Sequence, residues 1–282
     1  MVLFRRVKMS RAMIQAAVTM NQLQQKLDVI GNNMANSQTT GYKSRQAEFS
    51  SLLSQQINNM SRDGGANRLT PDGVRVGSGA RLGQVKNNLE MGSIKETDRA
   101  LDVALNQKKH LFQIEVTENG VTDRLYTRDG SFYLQPLDNS DNVMLVTSEG
   151  HPVIGDNGAI VLQDDFDDIM IQSDGSIQVT RGGQTGTEGR LSVVEAVYPE
   201  LLEAAGENAF RLTNLAELGY TLGNVINDVD GLNIVKSGAL EHSNVDLSKE
   251  MTDMLATQRS YQFNARTISM GDQMLGLINQ LR

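Results

Sequence analysis

At 282 residues the chain is long enough for two domains with cores of their own. Its 34 acidic and 26 basic residues leave a net charge of −8, which argues against nucleic acid as a partner, and the absence of cysteine excludes disulfides and thiolate metal sites. No run reaches the ~18 apolar residues of a membrane span.

The chain opens on a small basic head, Arg5, Arg6, Lys8 and Arg11, which reads as a solvated end. Gln15, Thr19, Asn21 and Gln22 interrupt the apolar residues beyond Arg11, so no h-region of a cleaved signal peptide is expected. Met13, Ala16, Met20, Leu23, Leu27, Ile30 and Met34 recur in steps of three and four, which predicts one helix with a continuous apolar seam. That helix should end between Gly31 and Met34. Beyond it, Ala35-Asn36-Ser37-Gln38-Thr39-Thr40-Gly41-Tyr42 is a dense turn in which Gly41 can adopt positive φ. The spacing of Phe49, Leu52, Leu53 and Ile57 predicts a second helical piece from Arg45 to Met60, and the glycine-rich stretch Ser61 to Gly79 predicts a linker.

From about Ala80 to Lys236 the apolar period changes to two. Candidate strands recur at 101–105, 112–116, 125–127, 132–134, 144–146, 160–162, 169–171, 177–179 and 191–196, punctuated by turns at Asn119-Gly120, Asp129-Gly130, Glu149-Gly150, Asp156-Asn157-Gly158 and Asp174-Gly175. Alternating runs between such turns predict antiparallel hairpins. A parallel α/β arrangement is not expected, since no 10–15-residue helical pattern separates the strands.

The last stretch carries a second seam: Leu247, Met251, Met254, Tyr261, Ala265, Ile268 and Leu275, with Gln258 and Asp272 as polar interruptions. Asn244 or Asp246 offers a cap at its start. The resulting helix is roughly 36 residues and ~54 Å long. Two terminal seams of one period invite pairing, which gives an α+β chain whose N- and C-terminal helices pair as a coiled-coil unit around an inserted, mainly antiparallel β domain. The expected boundaries are 1–60 for the N-terminal helical half, 61–79 for the linker, 80–238 for the β domain and 239–282 for the C-terminal helix. Seven buried side chains per helix do not offset the conformational entropy of ordering it, so the seams need further partners.

No residue set requires an active site or a cofactor. His110, His151 and His242 stand apart, with no metal-ligand spacing, and read as surface or hairpin residues. Gly77-Ser78-Gly79 starts like a dinucleotide loop but follows no apolar strand and lacks the third glycine. Asp164-Asp165-Phe166-Asp167-Asp168 lacks the glycine and distal glutamate of a calcium loop, and a charged turn explains it more simply.

Three groups of residues carry a likeness. Leu27-Asp28-Val29-Ile30-Gly31-Asn32-Asn33-Met34-Ala35-Asn36, followed by Thr39-Thr40-Gly41-Tyr42-Lys43, resembles the N-terminal signature of the flagellar basal-body rod and hook proteins. Glu241-His242-Ser243-Asn244-Val245-Asp246, then Glu250-Met251 and Gln258-Arg259-Ser260-Tyr261, resembles the C-terminal signature of that family. Ala100-Leu101-Asp102-Val103-Ala104 and Tyr126-Thr127-Arg128-Asp129-Gly130-Ser131-Phe132 are similar to motifs of its β domain. One stretch departs: where the family has a glycine-rich turn, this chain has Asn106-Gln107-Lys108-Lys109-His110-Leu111-Phe112.

The resemblance implies a structural subunit of the flagellar rod or hook, exported by the flagellar type III apparatus and polymerised with copies of itself and other axial proteins. Under it, Asn33, Asn36, Thr40, Gly41 and Tyr42 fix the reversal after the first helix, and Met20, Leu23, Leu27, Met251, Met254 and Leu275 form the seam. Ser243, Asn244, Asp246, Gln258, Arg259 and Tyr261 belong to the C-terminal signature. Two other classes stay open on the residues: a secreted coiled-coil adhesin with a ligand-binding β domain, and a cell-wall hydrolase served by the Asp164 to Asp168 cluster.

Overall fold

The computed structural model describes residues 2–51, 54–56, 75–77, 80–118, 120–137, 141–206, 208–213, 215 and 219–280. A 34-residue helix, Val2–Ala35, precedes a mainly antiparallel β region, and a second 34-residue helix, Leu247–Gln280, comes after it. Neither is apolar enough to cross a membrane over its described residues. The chain divides into two compact units. One comprises Met1–Asn32, Gln46–Lys86 and Ser248–Arg282, and the other Asn33–Arg45 and Asn87–Leu247.

The expected helix over Arg45 to Met60 is not formed in the described part of that stretch, residues 45–51 and 54–56. Arg45–Ser51 is a strand paired with Ala80–Asn87, and Ser54–Gln56 pairs antiparallel with Arg75–Gly77. A ladder partner satisfies every second backbone group and overrides a weak helical spacing. Lys86 reaches Glu48 at 3.3 Å across the first pair. Leu52, Leu53, Ile57 and the stretch Ser61 to Val74 lie outside the described residues.

The two long helices touch where Met13 lies over Gly271, whose missing side chain makes the room: a Cβ there would stand 2.9 Å from Met13 Cγ. On the C-terminal helix the half-buried and buried positions include a stripe in alternating steps of three and four, Met254, Thr257, Tyr261, Asn264, Ile268, Gly271, Leu275 and Ile278, flanked by the half-buried Glu250, Asp253, Ala265 and Thr267. Thr257 tolerates burial because its hydroxyl donates to Asp253 O one turn back, at 2.7 Å.

The second unit is built on a six-stranded antiparallel sheet. Its order is Leu202–Gly206, Ala209–Leu212, Val121–Thr127, His110–Glu118, Val193–Ala196 and Ile226–Asp228. Adjacent residues of these strands point to opposite faces, and both faces are covered. Phe112, Ile114, Leu125, Val193 and Ala209 enter the larger core, while Leu111, Tyr126, Val194 and Phe210 enter a second core on the other side. The smaller sheets 133–136/142–146/161–163 and 168–171/176–181/184–190 add Leu145, Leu162, Ile171, Ile177 and Val179 to the larger core. The hairpins expected at Gly120, Gly150, Gly158 and Gly175 have positive φ at those glycines. Gly130 does not. Its role is close approach, since a Cβ there would lie 1.7 Å from Val103 O.

Phe112 meets Phe132 edge to face, with ring centroids 5.2 Å apart, and both are fully enclosed. Phe112→Ala should therefore cost about 3–5 kcal/mol in chemical denaturation. Val121→Ala, at a residue 63% exposed, should stay within about 0.5 kcal/mol.

Candidate functional site

Three stretches far apart in sequence meet at one buried carboxylate in the second unit. Glu241, on the short strand Ala239–Glu241, accepts Lys43 Nζ on Oε1 at 2.6 Å, and Arg128 Nε and Nη2 on Oε2 at 2.9 and 2.6 Å. The side chains of Lys43, Arg128 and Glu241 are 0%, 0% and 1% exposed. The other bonds of the cluster run to main chain. Lys43 Nζ also donates to Glu90 O (2.7 Å), Arg128 Nη1 to Gln107 O and His110 O (2.6 and 2.7 Å), and Gly92 N to Glu241 Oε1 (2.7 Å). Gly41 N donates to Glu241 O at 2.8 Å and His242 N to Ser93 O at 2.8 Å, so the same strand is held by its backbone as well.

The chain approaches itself here without room for side chains. Gly41 sits at φ +68, and a Cβ on it would fall 2.5 Å from Asp129 N, while one on Gly92 would fall 1.9 Å from His242 O. Around this clasp stand two asparagines used as backbone mimics. Asn33 Oδ1 accepts Arg45 N (2.9 Å) and Tyr42 Oη (3.1 Å) and its Nδ2 donates to Arg45 O, tying the end of the first helix to the next strand. Asn244 Oδ1 accepts Ser44 N (2.7 Å), and its Nδ2 donates to Asn88 O and Glu90 O, both at 2.8 Å. Asn244 is thus spent on strand-like bridging and does not cap the C-terminal helix. Asp246 directly precedes that helix.

The clasp holds two cations against one carboxylate. Burial, and after it the Arg128 guanidinium, push the Lys43 amine down to about 8 against the opposing pull of Glu241. Burial likewise lowers Arg128, with Glu241 opposing. All three charged side chains are enclosed, so what the arrangement does is join three distant segments.

The sequence-predicted residues fall in two places. Asn33, Gly41 and Tyr42 are buried and Asn36, Thr40, Ser243 and Asn244 half-buried in and around the clasp. Asn36 Oδ1 accepts Thr39 Oγ1, and Thr40 O accepts Asn208 Nδ2. Met20, Leu23, Leu27, Met254, Tyr261 and Leu275 are half-buried on the long helices, while Met251, Gln258 and Arg259 are exposed. Lys43, Arg128 and Glu241 themselves were legible only as letters within the family signatures. Their charge, read without the fold, indicates solvent.

A second feature of the C-terminal helix is an apolar face turned outward. Leu247, Met251 and Leu255, then Phe263, Met270, Met274 and Leu277, are 42–69% exposed. Phe263, Met270 and Leu277 are seven residues apart and share one line along the helix. The acidic cluster is accounted for within its hairpin: Asp165 pairs with Arg181, and Asp167 Oδ2 accepts Gly182 N at 2.7 Å. Among the described residues no group of three His, Asp or Glu side chains is placed to hold a metal.

These elements match known proteins. Three family models match parts of the chain: Flagella basal body rod protein over residues 13–43, Flagellar hook protein FlgE/F/G D1 domain over 108–179, and Flagellar basal body rod FlgEFG protein C-terminal over 236–281. Each matched stretch supplies one member of the clasp: Lys43, Arg128 and Glu241 in turn. The chain is 40% identical over 280 residues to the flagellar hook-basal body complex protein FlhP of Bacillus subtilis, covering 97% of this chain and 100% of the relative. It is 33% identical over 260 residues to the flagellar basal-body rod protein FlgG of Buchnera aphidicola subsp. Schizaphis graminum, covering 90% and 93% of the two chains. With FlgG of Borreliella burgdorferi the identity is 31% over 278 residues, or 97% and 99%. The chain belongs to the flagellar basal-body rod and hook protein family.

The charge count fixes the sign of two substitutions. Glu241→Gln leaves two enclosed cations without a counter-charge and should cost about 3–5 kcal/mol. Lys43→Met leaves the Arg128–Glu241 pair balanced and should cost less, about 1–3 kcal/mol for the unsatisfied acceptors. In the intact protein the folded chain releases the Lys43 proton near pH 8 whereas the unfolded chain keeps it to about 10.5. The stability from this group is full above 10.5 and lost as pH falls to about 8. Denaturation across that range should show the slope in the parent and lose it in Lys43→Met. At Gly41, alanine should cost more than the roughly 1–2 kcal/mol of a left-handed L-residue, because the Asp129 backbone must also move.

Proposed function

We propose that the chain is a structural subunit of the axial rod or rod–hook region of the bacterial flagellum. In this reading it is delivered by the flagellar export apparatus and polymerised through its terminal helices with copies of itself and neighbouring axial proteins. Family membership supports the location, and the outward apolar face of the C-terminal helix supports the assembly. This helix is apolar on two sides, and among the described residues one of those sides is left 42–69% exposed at its large apolar residues. The inner side, with Met254, Tyr261 and Leu275, and the first-helix stripe of Met20, Leu23 and Leu27 then form the intramolecular seam. Met251 belongs with the outward face. Asn33, Asn36, Thr40, Gly41, Tyr42, Ser243, Asn244 and Asp246 shape the two junctions between the helices and the β region, and Gln258 and Arg259 border the outward face. We assign no catalytic role, because the acidic cluster that a hydrolase would use is engaged in its own hairpin.

The double variant Phe263→Asp, Leu277→Asp tests the assembly reading. Both residues are exposed, so the purified chain should keep its helical content and lose no more than about 1 kcal/mol of stability. Cells carrying it should lack complete basal bodies in electron micrographs and fail to swim. Swimming cells with intact basal bodies would exclude this face from assembly.

A further inference from the structure

We propose that His110 makes the clasp acid-sensitive. It lies in the stretch 106–112, is 3% exposed, and its ring Nδ1 has no hydrogen-bond partner. Its main-chain oxygen accepts Arg128 Nη1 at 2.7 Å, so the residue is fixed against the cation that binds Glu241. Its Nδ1 has no acceptor to take a second N–H, and the cluster it adjoins already holds two positive charges for one negative. Protonation therefore places a third cation where two are only half compensated, and the relief available is for Arg128 and the 107–110 segment to part.

The charged groups around the ring agree in sign. Burial is the largest influence and lowers the His110 pKa, Arg128 lowers it further, and only Glu195, its cross-strand neighbour on Val193–Ala196, raises it. Beyond Arg128 stand Lys43, itself pushed down, and Glu241, already engaged by both cations. On its own segment Lys108 is paired with Glu90 at 2.9 Å. A histidine with a lowered folded pKa contributes stability that is present above its unfolded value near 6.5 and lost as pH falls through that value toward the folded one. The clasp is thus firm at neutral pH and loosens in acid. What loosens is local: the segments leading out of the first helix, at Gly41 to Lys43, and into the last, at Glu241 to Asn244.

Amide hydrogen exchange on the full-length chain, at pH 7.5 and 5.5 and corrected for intrinsic rates, reads this directly. The Gly41, Gly92 and His242 amides, which bond across the clasp, should lose protection by about tenfold at pH 5.5, one unit below the unfolded imidazole value. The Leu145 and Val153 amides of the β core should hold. In His110→Gln, which cannot take the proton, the acid loss at the three clasp amides should vanish. Equal loss in the variant, no loss in the parent, or an equal fall at Leu145 and Val153 would each overturn the proposal. Should the variant fail to fold, proton NMR of the parent decides: a His110 ring titrating at or above 6.5 refutes it, and one titrating clearly below supports it.

Discussion

One carboxylate, Glu241, sets the terms for the second unit. An enclosed glutamate is tolerable only with its charge answered and its oxygens filled, and here two cations and a backbone N–H do both. Those cations arrive from the segment after the first helix and from the end of the inner strand Val121–Thr127. The need to neutralise one side chain therefore dictates where the chain leaving the first helix and the chain entering the last must lie. The glycines answer that demand. With Lys43, Arg128 and Glu241 converging on one point, the backbones beside them come within van der Waals distance, and positions 41, 92 and 130 cannot carry a Cβ in place.

A buried ion cluster is a poor source of net stability compared with an apolar one of the same volume. Its value lies in geometry. Apolar contacts between the 41–45 segment and the strand 239–241 could slide; two Arg128 N–H groups on one carboxylate oxygen, with a lysine on the other, allow one register. Within the second unit, the register of the 41–45 segment against the strand 239–241 matters more than a deeper core. The asparagines at 33 and 244 extend the same logic, each standing in for a rung of backbone ladder between two segments.

Much of the fold was legible because its periods are pure. The step of three and four from Met13 to Met34 marks a helix, and alternation from Phe112 onward marks hairpins, with glycines at the expected positive φ. The failure at Arg45 to Gln56 has a definite cause: its partner strands begin at Arg75 and Ala80, beyond the reach of a local pattern. The inward stripe of the last helix was half hidden for another reason. Thr257 and Gly271 occupy it because a self-bonded hydroxyl and an absent side chain pack as well as leucine, and neither announces burial by its chemistry. His110 and the clasp triad were hidden most completely, since charge and imidazole indicate solvent until three distant segments are superposed.

The order of the three charges along the chain has its own result. Lys43 and Glu241 are 198 positions apart, with Arg128 between them. A polypeptide delivered from its N-terminus, whether by a ribosome or through a pore, presents both cations well before their counter-ion exists. Until then each is held in water by its own hydration, and the place they will occupy stays unfilled. The clasp can close only once Glu241 has followed Lys43 and Arg128, so the last of its three charges to arrive is the one that locks it.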